Sequence, residues 1–168
     1  IYILMDLSNI ENDLDIQFSP KNSINNEIDD ILNLIDNDTN LQSMISFIIN
    51  ISNNVFNTLG KGFNECIYHK AILVDLYKTN YKIETKKIIP IDYKGVNVGY
   101  VESDVIVYDE RNNIMIIIEL KAQTNDLSYK EKFQVQKYMN NIENENTIGL
   151  VINFSQKNNT IYEVQSDI

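Results

Sequence analysis

Three side chains at the ends of adjoining apolar segments are placed to do chemistry: Asp104, Glu119 and Lys121. Residues 114–121 read Ile-Met-Ile-Ile-Ile-Glu-Leu-Lys. Strand side chains alternate faces, so Met115, Ile117, Glu119 and Lys121 share one face, and Ile114, Ile116, Ile118 and Leu120 the other. Both faces stay apolar until the last residues, which predicts a central strand covered on both sides. Charged groups at such an end are costly unless they are paired or bound to something. The segment before it supplies a partner. A four-residue loop over 110–113 sets 109 opposite 114, and that register carries Asp104 to Glu119 and Glu102 to Lys121. Directly opposed side chains stand about 4.5–5.5 Å apart at Cβ. Two carboxylates that close repel unless a proton or cation lies between them, and a hard divalent cation resolves the conflict. A slip of one residue would turn Asp104 to the wrong face. The plainer alternative is that Glu119 and Lys121 form one of the solvated salt bridges common at strand ends.

The rest of the composition limits what such a site could hold. One His and one Cys cannot build a nitrogen/sulfur zinc site within the chain. Oxygen donors remain, and they favour Mg2+ or Mn2+. The single Cys66 excludes an internal disulfide and fits a reducing, intracellular setting, cytoplasmic or nuclear. Residues 1–23 carry no signal-peptide pattern, although an opening Ile leaves room for a start upstream. No run approaches the roughly 18 apolar residues of a membrane span, so no membrane partner is expected. Asn, Ile, Lys and Tyr abound and Arg111 is the only arginine, a bias that fits an AT-rich genome, bacterial or that of a large DNA virus.

The net charge of −10 argues against a phosphate-binding protein until the charge is located. Residues 1–40 hold nine acids against Lys21, a net −8, and the remaining 15 acids and 13 bases nearly balance. The acidity belongs to an N-terminal extension, 1–40, ahead of a domain spanning 41–168.

Several elements must position these residues. Residues 1–23 are Asn/Asp-rich and broken by Pro20. Ile24, Ile28, Ile31, Leu32 and Ile35 recur at helical spacing, which predicts a short helix over 24–36. Its apolar stripe is expected to dock on the domain, on a second copy in a homodimer, or on a protein partner. Its acids would face outward or partly cover a nucleic-acid cleft. A second helix is predicted over 40–58 with a glycine stop at Gly60, and a third over 63–79. Strands are expected at 82–92, 96–108, 114–121, 147–154 and 160–166, with a helix at 128–143. Glu65 and Tyr68 fall three apart on the third helix, and Gln134 and Tyr138 four apart on the last, so each pair shares a helix face. Each pair has an ordinary reading as well: an acid suited to a helix N-terminus, and a half-exposed surface. His69, the only histidine, could act as a general base but reads first as a partly exposed surface residue, and Cys66 as a small core residue. Tyr68, Tyr77, Tyr81, Tyr93, Tyr100 and Tyr129 could stack on bases, but most read as half-buried packing.

In order along the chain stand Gly62-Phe63-Asn64-Glu65-Cys66-Ile67-Tyr68, Tyr93-Lys94-Gly95, Ser103-Asp104-Val105, Ile118-Glu119-Leu120-Lys121-Ala122, Gln134 to Tyr138, and Gly149 to Phe154. Each motif is weak alone. The ordered set, over about 41–165, resembles the GxxExxY family of the PD-(D/E)XK nuclease superfamily. The resemblance implies an α/β fold, a restriction-endonuclease-like core with a mixed sheet of about four strands flanked by helices, here with an N-terminal helical extension. It implies that Asp104 and Glu119 are metal ligands, with the Leu120 carbonyl, and that Glu65 binds metal through water. It gives Lys121 the water-activating and charge-offsetting role, and Gln134 and Tyr138 that of bracing the site or touching substrate. The expected function is a metal-dependent nuclease with nucleic acid, DNA first, as its partner. The alternative is a nuclease-fold binding or structural subunit of a larger assembly. Residues 1–40 lie outside the resemblance.

Overall fold

A computed structural model describes residues 2–6, 39–125, 127–142 and 146–157. Its elements are β1 (Tyr2–Asp6), α1 (Thr39–Leu59), α2 (Glu65–Leu76), β2 (Lys82–Tyr93), β3 (Val96–Asp109), β4 (Ile114–Lys121), α3 (Tyr129–Asn140) and β5 (Thr147–Asn153). The described strands form one five-stranded sheet in the order β1-β5-β4-β3-β2. β1, β5 and β4 run parallel, and β4, β3 and β2 antiparallel, which makes the sheet mixed. The four strands β2 to β5 are the expected α/β core. β1 is an addition, because the first residues were expected to be irregular. Its sequence signal is the short apolar run before Asp6, and parallel pairing with β5 satisfies its backbone. The expected helix at 24–36 and strand at 160–166 lie outside the described residues.

β4 behaves as its two apolar faces require. Ile114, Ile116, Ile118 and Leu120 pack in one core with α1 and α2, while Met115 and Ile117 pack in a second with Val135 and Tyr138 of α3. The helices therefore cover both faces of the sheet, as a parallel-centred sheet demands. α1 turns the stripe of Met44, Ile45, Ile48, Ile49 and Phe56 into the first core. It stops at Gly60, whose φ of +70° is a left-handed conformation that glycine takes at little cost. The Gly60 N–H donates to the Phe56 carbonyl at 2.8 Å.

Two turns set the register. The Asp109 carboxylate accepts from the backbone N–H of Arg111 and Asn112 and from the Asn112 amide, which closes the 110–113 loop. Asp109 then pairs with Ile114, and the ladder runs to Val105 opposite Ile118. The β2–β3 hairpin turns at Lys94 and Gly95, both at positive φ, the geometry a two-residue turn favours. A register shift between Ile91 and Asp92 then displaces the rest of β2 by one residue. Among the described residues, no helix is long and apolar enough to cross a membrane.

Candidate active site

The β3–β4 ladder ends one step short of Asp104 and Glu119. There a side chain replaces the backbone: the Leu120 N–H donates to Asp104 Oδ2 at 2.8 Å. Glu102 does not meet Lys121, contrary to the simple extension of the register. With the ladder ended, Glu102 is left exposed and pairs with Lys86 at 3.7 Å instead.

Asp104 is 6 % exposed and Glu119 3 %. Each carries an ammonium: Lys86 Nζ lies 2.5 Å from Asp104 Oδ1, and Lys121 Nζ 2.6 Å from Glu119 Oε1. From α3, Gln134 donates to the same Glu119 oxygen at 2.7 Å and to the Tyr138 hydroxyl at 2.6 Å. Tyr138 in turn donates to the Glu102 carbonyl at 2.8 Å. The four-residue spacing thus puts Gln134 and Tyr138 on the face that meets the sheet. α3 is held by a capping box, in which Ser128 and Glu131 satisfy one another's end of the helix.

Glu65 begins α2 and enters the same field. Burial pushes its carboxyl up, Asp104 adds to this, and Lys121, Lys86 and His69 oppose it. Burial also pushes Glu119 up, to about 7, with Asp104 and Glu65 adding to it against Lys121. Burial would lower the Lys121 ammonium, but Glu119, Glu65 and Asp104 outweigh it and hold the group above its ordinary value. The Tyr138 hydroxyl is pushed up to about 12, by burial first and then by Glu119 and Asp104 despite the Gln134 hydrogen bond. All six side chains singled out in the sequence therefore converge at one end of β4, on one shared electrostatic field.

Among the described residues, no three His, Cys, Asp or Glu side chains close into a metal-binding group. The reason is visible in the ion pairs, which turn Asp104 to Lys86 and Glu119 to Lys121. One atom is left over: Glu119 Oε2 is buried with no hydrogen-bond partner. A carboxylate oxygen without a donor, next to a second buried carboxylate, is a donor set that fits a hard cation. It does not suit an apolar ligand.

Some contacts at the site were not foreseen from the sequence. Lys86 sits across from Asp104 with a φ of +51°, unpaired between Thr85–Val105 and Lys87–Ser103. Such a backbone in a strand costs about 1–3 kcal/mol and persists only where its surroundings hold it. His69 is half-buried, with Nε2 3.2 Å from the Asp104 carbonyl, so the ring nitrogen donates and steadies the backbone of the site's first carboxylate. The Gly62 N–H donates to the Gln156 side chain at 2.6 Å, and that side chain also reaches the Tyr68 hydroxyl.

Two expectations need correction. Cys66 is exposed, not core: its position on α2 faces away from the Tyr68–Ile72–Leu76 stripe, and its thiol donates to Asn64 Oδ1. Of the six tyrosines, most of them expected to be half-buried, Tyr77, Tyr93, Tyr100 and Tyr129 are exposed, because they lie on helix or hairpin faces outside the two cores. Tyr68 is wholly buried, stacked on Phe154 at 4.4 Å, and donates to the Gly60 carbonyl at 2.7 Å.

A family model described as the PD-(D/E)XK nuclease superfamily matches residues 42–164. No curated protein and no solved structure matches the chain.

Proposed function

The chain belongs to the PD-(D/E)XK nuclease superfamily, and on that premise we propose that it hydrolyses phosphodiester bonds in DNA with Mg2+ or Mn2+ held by Asp104 and Glu119. Within the superfamily, the order of its motifs supports a GxxExxY assignment, which is part of this reading. The observation that carries the reading is the buried Asp104–Glu119 pair with Glu119 Oε2 left without a partner. A divalent cation, when bound, acidifies a water and polarises the scissile phosphate.

The chain's own groups do the positioning. Gln134 and Lys121 fix one oxygen of Glu119, so the other faces the site. The Leu120 N–H is aimed at Asp104. In a strand the N–H and C=O of one residue point to the same side, so the Leu120 carbonyl is a third oxygen on that edge. Glu65, whose carboxyl feels both Asp104 and Lys121, is assigned the role of holding the cation through a water. Lys121 keeps its charge, held by three carboxylates, and offsets charge on the attacking water and the phosphate. Tyr138 stays protonated at any working pH, a neutral brace between Gln134 and the β3 backbone.

Incubation with circular and linear DNA, with and without Mg2+ or Mn2+, tests the reading. Cation-dependent strand breaks that vanish in Asp104→Asn are expected. Equal breakage by the variant would reject it.

A further inference from the structure

Beside the site lies a groove of about 740 Å3 that the chemistry above does not use. α3 contributes Tyr129, Lys130, Phe133 and Lys137 to it, and β3 contributes Val101 and Glu102. The groove shares Gln134 and Tyr138 with the carboxylate cluster, so it runs directly into the proposed reaction centre.

Its lining has a pattern. Tyr129 and Phe133 are one helical turn apart, about 6 Å along the axis, and form a row of rings. They are 75 % and 58 % exposed, a large aromatic area to leave in water. Lys130 and Lys137 stand on the neighbouring row with Gln134 between them. Two cations face one lining acid, Glu102, which is itself paired with Lys86. This is local positive character in a chain whose net charge is −10. Rings alone would suit many apolar partners. Rings beside lysines, leading to carboxylates that would act on a phosphodiester, suit a strand with flat bases on one side and phosphates on the other. A duplex hides its base faces in its own stack and cannot offer them to a ring.

We propose that this groove binds unpaired DNA, with bases stacking on Tyr129 and Phe133 and phosphates meeting Lys130 and Lys137, and so delivers single-stranded substrate to the site. The proposal deepens the nuclease reading and rests on it for the direction of threading. Stacking then selects strand type without reading sequence, because every base has a π-face.

The test is fluorescence anisotropy of the full chain in EDTA with labelled oligothymidylate, the matching duplex, and an abasic strand of equal length. Oligothymidylate should bind more tightly than either of the others. Phe133→Ala and Tyr129→Ala should each weaken it about tenfold and leave abasic binding unchanged. Lys130→Gln and Lys137→Gln should each flatten the salt dependence by about 0.7 in log–log slope. Equal affinity for single strand, duplex and abasic strand, with no response to either ring substitution, would overturn the groove. A parallel cleavage assay in Mn2+ separates the two readings. Cleavage with ring-independent binding rejects the groove and leaves the nuclease. Ring-dependent binding without cleavage of any DNA rejects the nuclease and leaves the groove.

Discussion

Glu119→Gln should stabilise the cation-free protein, and the gain should depend on pH. Glu119 has an ordinary carboxyl pKa of 4.5 that burial, Asp104 and Glu65 push to about 7. Between those values the folded state keeps a proton that the unfolded state has lost. Stability therefore falls as pH rises through that window, by about 1.4 kcal/mol per unit. Above pH 7 the full penalty, about 3 kcal/mol, is present. Gln keeps the shape and can still accept from Lys121 and Gln134, but carries no charge to repel Asp104. In EDTA at pH 8 the variant should be more stable by about 2–3 kcal/mol, a Tm rise of about 5–10 °C for a chain of this size. At pH 5 the wild-type carboxyl is largely protonated and the difference should shrink to under about 1 kcal/mol. Urea unfolding at both pH values measures it. A variant less stable than wild type at pH 8, or a difference that does not change with pH, would refute the claim that Glu119 is held in a strained, charge-crowded position. It would also remove the reason to expect a cation there.

Other outcomes follow from the same geometry. Lys121→Ala should abolish cleavage with circular dichroism unchanged, because its partners lie at the sheet's end and not in the core. Lys86→Met should lower the Mn2+ concentration needed for half-saturation in a calorimetric titration, since Lys86 competes for Asp104, and cost about 1 kcal/mol of cation-free stability given its half-exposed ammonium. Tyr138→Phe should cost about 1–2 kcal/mol in urea unfolding, because the Glu102 carbonyl and the Gln134 amide each lose a partner. Removing residues 1–6 should bare the edge of β5 and promote association visible by light scattering, since β1 pairs along that edge.

The site was legible where local rules act alone. The 110–113 loop and the period-two pattern of β4 placed Asp104 beside Glu119, because a short loop fixes register and register fixes faces. Helical spacing put Gln134 and Tyr138 on one side of α3. Lys86 was not legible for a physical reason. Counted from the Lys94–Gly95 turn, Thr85 falls across from Asp104, and only the bulge at Ile91/Asp92 moves Lys86 there. A bulge changes the register without any distinctive residue at the position it re-aims. His69 was undervalued because its partner is a backbone carbonyl 35 residues away, which no side-chain pattern reveals. β1 was missed because its pairing to β5 is long-range, and a short apolar run ending in Asp6 is ambiguous between strand and loop. Cys66 was misplaced because Tyr68, Ile72 and Leu76 define the buried stripe of α2, and Cys66 falls outside it. In the GxxExxY stretch the roles divide: Tyr68 anchors the Gly60–Gly62 loop from the core, while Glu65 at the helix start looks toward the carboxylates.

The central claim is that Asp104 and Glu119 together hold a divalent cation. Titration of Mn2+ into wild type, Asp104→Asn, Glu119→Gln and the double variant, followed by the loss of the free-ion electron paramagnetic resonance signal at pH 8, tests it most directly. Wild type should bind saturably, each single variant far more weakly, and the double variant no better than the weaker single one. Mn2+ binding of undiminished affinity in the double variant would contradict the account.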